Sequence, residues 1–405
     1  MTNRKIINDP VFGFIEIPHG PILEILQHPC FQRLSRIKQL GVSSTVYPGA
    51  QHTRLQHSLG AYHLMGEAIK HLQEKGNFIF DSEAEAARIA ILLHDIGHGP
   101  FSHVLEHTLV SGISHEEISE MIMEQMNQEM HGQLSLAIEI FKDKYPKHFL
   151  HQLVSSQLDM DRLDYLRRDA FYTGVMEGNI GSDRIIQMLD VKDDNLVVEQ
   201  KGIYSIENFL LTRRLMYWQV YLHKTSVGYE RMLINTLRRA QQLSSQGRSP
   251  FASPSLLFFL QNSINRKDFK DNPDCLRHFL KLDDNDIWSA LKVWCDDSDP
   301  ILSRLSHGIV HRHLFKVKVL EEPLSTEQQH ELEKSLADTL HIHPNDTQYF
   351  WYLANISNQM YATDDGKIEI LYKNGTIRDI TEASDVMNTS LVTRPDKKYY
   401  LCYYK

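Results

Sequence analysis

A mainly α-helical protein, a helical bundle followed by a smaller α+β region, is predicted from three observations. Helical periodicity runs almost unbroken from about residue 20 to 243. The stretch "SSQGRSP" at 244–250 has linker composition, and beyond it the pattern becomes mixed, with strand-like alternation in "LFKVKVL". Histidines and aspartates gather at the ends of the predicted helices, above all in "HDIGHGPFSH" at 94–103. Two units are expected on this basis, 1–243 and 251–405, the second serving assembly or regulation.

Each element has its own signal. "HSLGAYHLMGEAIKHLQEKG" puts Leu59, Tyr62, His63, Gly66, Ile69 and Leu72 at helical spacing, and Gly76 is a natural stop. The following helix opens at "DSEAEAARIAILLHDIG", where Ser82 and Glu85 have capping-box spacing and Ile89, Leu92, Leu93 and Ile96 form the buried face. Gly97, Gly99 and Pro100 end it, which leaves His94 and Asp95 near a helix C-terminus. Further helices are predicted over 115–130, 133–143, 147–167, 182–190 and 205–242. A small hairpin, "NLVVEQKGIYSI", is predicted around Lys201-Gly202. In the second region "KIEILYKNGTIRDI" reads as a hairpin turning at Asn374-Gly375, and "KKYYLCYYK" as a closing strand.

Composition narrows the function classes. There is no apolar run of about 18 residues, so no membrane span is expected. The first twenty residues lack the apolar stretch of a secretory signal. Cys30, Cys275, Cys295 and Cys402 are scattered without a CxxC pair, which argues against a disulfide framework or a zinc–thiolate site. A cytoplasmic location is the expectation. A net charge of −9 without long single-sign blocks disfavours a general nucleic-acid surface, and none is expected as a partner.

The 22 histidines include many that must be plain core or surface residues, so each needs a reason. Adjacent helical residues point about 100° apart, so His94 and Asp95 reach one ion only where the chain turns at a helix end. His57 begins a helix in "RLQHSLG", and Asp161 heads another in "LDMDRLDYLRRD". Together His57, His94, Asp95 and Asp161 offer two imidazoles and two carboxylates. That set suits one divalent transition ion, manganese, iron, nickel or zinc, with positions left for water and substrate. Two stripes add to this. Asp161, Tyr165 and Asp169 fall at i, i+4 and i+8, and Arg213, Tyr217 and Tyr221 repeat that spacing. Each stripe spans about 12 Å, the length of a nucleotide. Arg54, Arg162 and Arg213 supply guanidinium forks for phosphate.

These segments carry a family resemblance. "RLQHSLG", "HDIGHGPFSH", the His115-Glu116 pair and "LDMDRLDYLRRD", in that order, resemble the HD-domain phosphohydrolases. "FQRLSRIKQLGVSSTVYPGAQHTRLQHSLG" and "TRRLMYWQVYLHK" narrow it to the deoxynucleoside triphosphate triphosphohydrolase branch, the dGTPases and SAM-and-HD-domain proteins. The resemblance covers about residues 5–240 and places an HD core at about 50–170. It implies one metal on His57, His94, Asp95 and Asp161, with a magnesium ion accompanying the nucleotide. It implies a catalytic cluster of His98, His115 and Glu106, the last standing where the family often has Asp, and His103 near the phosphates. By the same resemblance Gln39 and Asp169 bind the sugar hydroxyl, Tyr165 and Tyr221 pack about the sugar, Leu40 lies beneath the base, and Tyr217 belongs to the same substrate stripe. The implied reaction converts a dNTP to deoxynucleoside and inorganic triphosphate in a homo-oligomer.

One departure stands out. Relatives activated by a guanine nucleotide carry an Asp and an Arg where this chain has Gln27 and Ser35. The substitution argues against guanine activation at that place. Two other functions fit the same motifs less fully: hydrolysis of another phosphoester, such as a nucleoside monophosphate, cyclic nucleotide or alarmone, and a non-catalytic nucleotide sensor.

Overall fold

An antiparallel hairpin, Arg4–Asp9 against Gly13–Pro18, opens the chain and packs Ile15 and Ile17 inward. The computed structural model describes residues 4–101, 104, 108–358, 361, 366–387 and 396–405. The chain is mainly helical, with a smaller sheet-containing C-terminal region. No helix among the described residues is long and apolar enough to cross a membrane.

Three helices frame the centre: Arg54–Glu74, Asp81–Leu93 and Met160–Thr173. In the first, Leu59, Tyr62, Ile69 and Leu72 are buried while His63 and Gly66 are half-buried, and Gly76 turns the chain with φ of 95°. In the second, Ile89, Leu92, Leu93 and Ile96 are all buried. Each such aliphatic side chain contributes about 1.5–3 kcal/mol on burial, so this seam holds the bundle together. The second helix starts at Asp81, one residue before the expected cap. There the Glu83 carboxylate accepts the Phe80 amide at 2.8 Å, so Glu83 does the capping expected of Glu85.

Three boundaries differ from expectation, each for a local reason. The helix predicted over 147–167 is two helices, His148–Val154 and Met160–Thr173. The first ends where Ser155 turns extended, and Asp159 caps the second by accepting the Arg162 amide at 2.7 Å. The helix predicted over 205–242 breaks into Ile203–Met216, a π-helical turn at Tyr217–Tyr221, and Lys224–Ser245. The hairpin near 190–200 turns at Asp193-Asp194 rather than at Lys201-Gly202. Both aspartates have positive φ, 53° and 58°, as a tight two-residue hairpin turn requires. Lys201 and Gly202 instead lie in a short 3₁₀ turn leading into the next helix.

In the C-terminal region the strand at Lys316–Leu320, the hairpin of Glu369–Leu371 with Ile377–Asp379, and the closing strand Asp396–Tyr403 lie where the alternation predicts. Two connections reach back into the first part. Asn195–Glu199 pairs in parallel with Glu369–Leu371, and the Lys224–Ser245 helix packs on Pro300–Val310. One continuous set of buried apolar side chains runs from Ile15 to Cys402.

Candidate active site

The site sits where the ends of the three central helices meet. Arg54 and His57 occupy the first turn of Arg54–Glu74; both are buried, His57 completely. His94, Asp95 and His98 follow the end of Asp81–Leu93, and Asp161 lies in the first turn of Met160–Thr173. His115 is the first residue of the helix His115–Glu129. Close approach is built in by glycine. A Cβ on Gly97 would overlap the His115 carbonyl, and one on Gly60 would overlap the Asp164 carboxylate.

Donor atoms converge on one point. His57 Nε2 lies 3.3 Å from His94 Nε2 and 3.1 Å from Asp161 Oδ1, and His94 Nε2 lies 3.4 Å from the same oxygen. Asp95 closes the set, with Oδ1 at 3.4 Å from His94 Nε2 and Oδ2 at 3.7 Å from His57 Nε2. The other ring nitrogens settle the tautomers. His94 Nδ1 lies 2.6 Å from the Ile91 carbonyl and His57 Nδ1 lies 2.7 Å from Asp164 Oδ2. Each Nδ1 therefore carries the proton and donates, which turns the Nε2 lone pair toward the centre. Two imidazole lone pairs and two carboxylates facing one another in a buried space repel unless a cation sits between them. His57, His94 and Asp161 thus fit a divalent metal, with Asp95 in reach of the same centre and also clustered with His98 and His115, and the donor chemistry alone leaves several transition ions eligible.

Protons hold the cluster together until an ion takes their place: against burial, Asp161 and Asp164 raise His57 to about 10, and Asp95 and Asp161 raise His94, so metal binding would displace a proton from each Nε2. Burial opposes the charge on Asp161, but His94 and His57 hold its carboxyl far below the ordinary range. Asp95 is likewise held low against its burial by His94, His98 and Arg54. His98 is pushed the other way, to about 3, first by burial and then by the Arg54 guanidinium. It is therefore a neutral imidazole. His98 Nε2 lies 3.3 Å from Asp95 Oδ1, and its ring stacks on His115 at 3.9 Å.

Above the donors opens a cavity of about 630 Å³. Of the residues named from sequence, Gln39, Leu40, Arg54, Asp95, His98, His115, Asp161 and Arg162 line it, as do Tyr165, Asp169, Tyr217 and Tyr221. Gln39 Oε1 is buried with no hydrogen-bond partner among the described residues, an acceptor without an internal use. Tyr221 donates its hydroxyl to Asp169 Oδ2 at 2.7 Å, and His52 Nε2 lies 2.7 Å from Asp169 Oδ1. Arg54 donates to Asp95, and Arg162 donates Nε to the Ser156 carbonyl at 2.7 Å. A larger cleft of about 940 Å³ lies over the C-terminal hairpin, lined by Lys192, Tyr204 and Lys373 among others, with no comparable set of donors.

Arg213 does not line the cavity. Its guanidinium is buried and donates to Gln157 Oε1 at 2.7 Å. Tyr217 and Tyr221 of the expected stripe stay together across a π turn, their rings 5.1 Å apart, while Arg213 lies in the α-helix before it and is held by Gln157. Tyr47 caps the Gln219 carbonyl at 2.6 Å and Tyr400 the Leu222 carbonyl at 3.3 Å, so the turn is braced from both sides. His103 and Glu106 lie outside the described residues.

Several residues at the site were not singled out from sequence. Asp164 and Arg168 form a buried pair behind His57, with Arg168 also donating to Asp9 at 2.7 Å. Their signal was present in "DRLDYLRRD", where Asp164 falls one helical turn after Asp161. His52 lies in the quoted "YPGAQHTRLQHS". Buried Arg33 donates both terminal nitrogens to the His98 carbonyl at 2.8 Å, a long-range contact with no local signature.

A helical bundle holding two histidines and two aspartates in this order and geometry defines a metal-dependent phosphohydrolase class, and comparison with known proteins places the chain in it. The HD domain matches residues 54–169, and the HD associated region matches 180–250. A solved phosphohydrolase from Bacteroides thetaiotaomicron superposes with a TM-score of 0.97 at 66% identity, covering 99% of this chain and 100% of the other. An uncharacterized Bacillus subtilis protein, YwfO, is 30% identical over 99% of this chain and 92% of its own length. The Dictyostelium discoideum homolog of deoxynucleoside triphosphate triphosphohydrolase SAMHD1 is 32% identical over 77% of this chain and 67% of its own. The chain belongs to the HD-domain phosphohydrolase family.

Proposed function

We propose that this phosphohydrolase is a dNTP triphosphohydrolase, releasing deoxynucleoside and inorganic triphosphate. The observation that carries this reading is the content of the cavity. Metal donors and proton-transfer histidines lie at its floor, Arg54 and Arg162 beside them, and the Tyr221–Asp169 pair with the unpartnered Gln39 on the same walls. The likeness to relatives named deoxynucleoside triphosphate triphosphohydrolase supports it.

When bound at His57, His94, Asp95 and Asp161, a divalent ion would polarise a phosphoryl oxygen and acidify water. The chain's own side chains do the rest. Water attacks the α-phosphorus, the bond from that phosphorus to the 5′-oxygen breaks, and one proton passes to the leaving oxygen. His115, stacked on neutral His98, is placed to move that proton, a role worth about 10²–10⁴-fold in rate. Arg54 and Arg162 offset triphosphate charge. Gln39 and Asp169 hold the 3′-hydroxyl, Tyr165 and Tyr221 pack about the sugar, and Leu40 lies under the base.

Product analysis tests the reading. Metal-loaded protein incubated with each dNTP should release deoxynucleoside and triphosphate, separable by anion exchange. Asp161→Ala should lose bound metal, by elemental analysis, together with turnover. Release of mono- or diphosphate would assign the site to another phosphoester, and binding without turnover would make it a sensor.

A further inference from the structure

A carboxylate of the C-terminal region, Asp284, binds the backbone of the cavity wall. Asp284 is the first residue of the helix Asp284–Trp294 and is buried. Its Oδ2 accepts the Lys38 amide at 2.9 Å and its Oδ1 the Phe101 amide at 3.1 Å. These two amides belong to the two segments that line the cavity beside the catalytic cluster. Lys38 directly precedes Gln39 and Leu40, and Phe101 follows His98 by three residues. The segments are far apart in sequence, yet a Cβ on Gly41 would lie 3.8 Å from the Phe101 Cα.

The conformation held at Phe101 is costly. Its φ is +51°, a left-handed backbone that a bulky side chain adopts only when its surroundings enforce it. The enforcement comes from the same helix. Trp288, one turn after Asp284, packs on the Phe101 ring at 6.2 Å, and Asp283 pairs with Arg36 at 2.5 Å. Phe279, just before the helix, lies 5.1 Å beneath the Arg33 guanidinium that holds the His98 carbonyl.

We infer that Asp284 is a positioning residue for catalysis, setting the spacing between the Gln39–Leu40 segment and the His98–Phe101 segment by binding one backbone amide from each. The identity of the groups being spaced rests on the phosphohydrolase site above. A carboxylate is needed because it presents two acceptors at once. In Asp284→Asn the side-chain NH₂ meets one of the two amides head-on, and that segment is released.

The test uses full-length, metal-loaded protein. Asp284→Asn should keep wild-type metal content and show faster hydrogen exchange at the Lys38 or Phe101 amide. Its kcat should fall about 10- to 100-fold with KM changing much less, as for a misplacement of about 1 Å. Should Asp284→Asn fail to fold, Asp284→Glu keeps the charge and displaces the acceptors by one carbon, with the same readouts expected. Exchange needs no substrate and is independent of the dNTP assignment; kcat is read on whichever phosphoester the wild type hydrolyses. Unchanged kcat with only a lower Tm would reduce Asp284 to a structural contact and overturn the inference. So would a fall in kcat that tracks metal loss.

Discussion

Asp164 Oδ2 stands 2.7 Å from His57 Nδ1, and Arg168 holds the same carboxylate from behind. The pair is buried, with both Asp164 and Arg168 shielded from solvent. A carboxylate in this position fixes the ring, raises the basicity of Nε2 and aims it at the metal position. Removing it leaves all four proposed ligands in place. Asp164→Ala is expected to weaken metal binding about 10- to 100-fold. Calorimetric titration of the apoprotein with Mn²⁺ checks this, and wild-type affinity would confine Asp164 to packing.

His115 stacks on His98 and stands outside the His57–His94–Asp161 donor group, in a second cluster with His98 and Asp95. His115→Ala should therefore keep its metal and lose turnover about 10²–10⁴-fold. Elemental analysis and single-turnover hydrolysis separate the two effects. An unchanged rate at saturating dNTP would make His115 structural.

Tyr221 lines the cavity with its hydroxyl tied to Asp169. A ring fixed this way is expected to exclude a ribose 2′-hydroxyl by contact. Wild type should hydrolyse dATP faster than ATP, and Tyr221→Ala should narrow that gap. With Gln27 and Ser35 in place of the guanine-reading pair, no added GTP should be needed. Equal wild-type rates on dATP and ATP would remove the steric role, and an absolute GTP requirement would refute the regulatory reading.

Glu83 predicts an acid-sensitive contribution to stability. Burial works against its carboxylate, but Lys147, Tyr145 and the Phe80 amide more than offset this and hold its pKa below the ordinary glutamate value. The folded value is depressed, so the contribution is complete above the ordinary value and disappears as pH falls through the folded one. Glu83→Gln should lower Tm at neutral pH, and the difference from wild type should shrink on acidification. A constant difference across the acid limb would show that the charge is not the cause.

By itself the sequence determined the helical seam, the donor types and the segments that bring them together. Leu59, Tyr62, Ile69 and Leu72 on one helix and Ile89, Leu92, Leu93 and Ile96 on the next repeat at the helical period, and a period survives in one dimension. His57, His94, Asp95 and Asp161 were legible for a related reason, since each sits in a short motif at a helix end. Tertiary structure decided what depends on partners distant in the chain. Arg213 is held away from the cavity by Gln157, 56 residues earlier in the chain, and the helix after it takes a π turn whose end carbonyls are capped by Tyr47 and Tyr400. His57 gained Asp164 because two helices cross at Gly60, and Phe101 took a left-handed backbone beside Asp284 from the far region. Local propensity acts over a few residues, whereas burial and long-range hydrogen bonds choose among the conformations it leaves open.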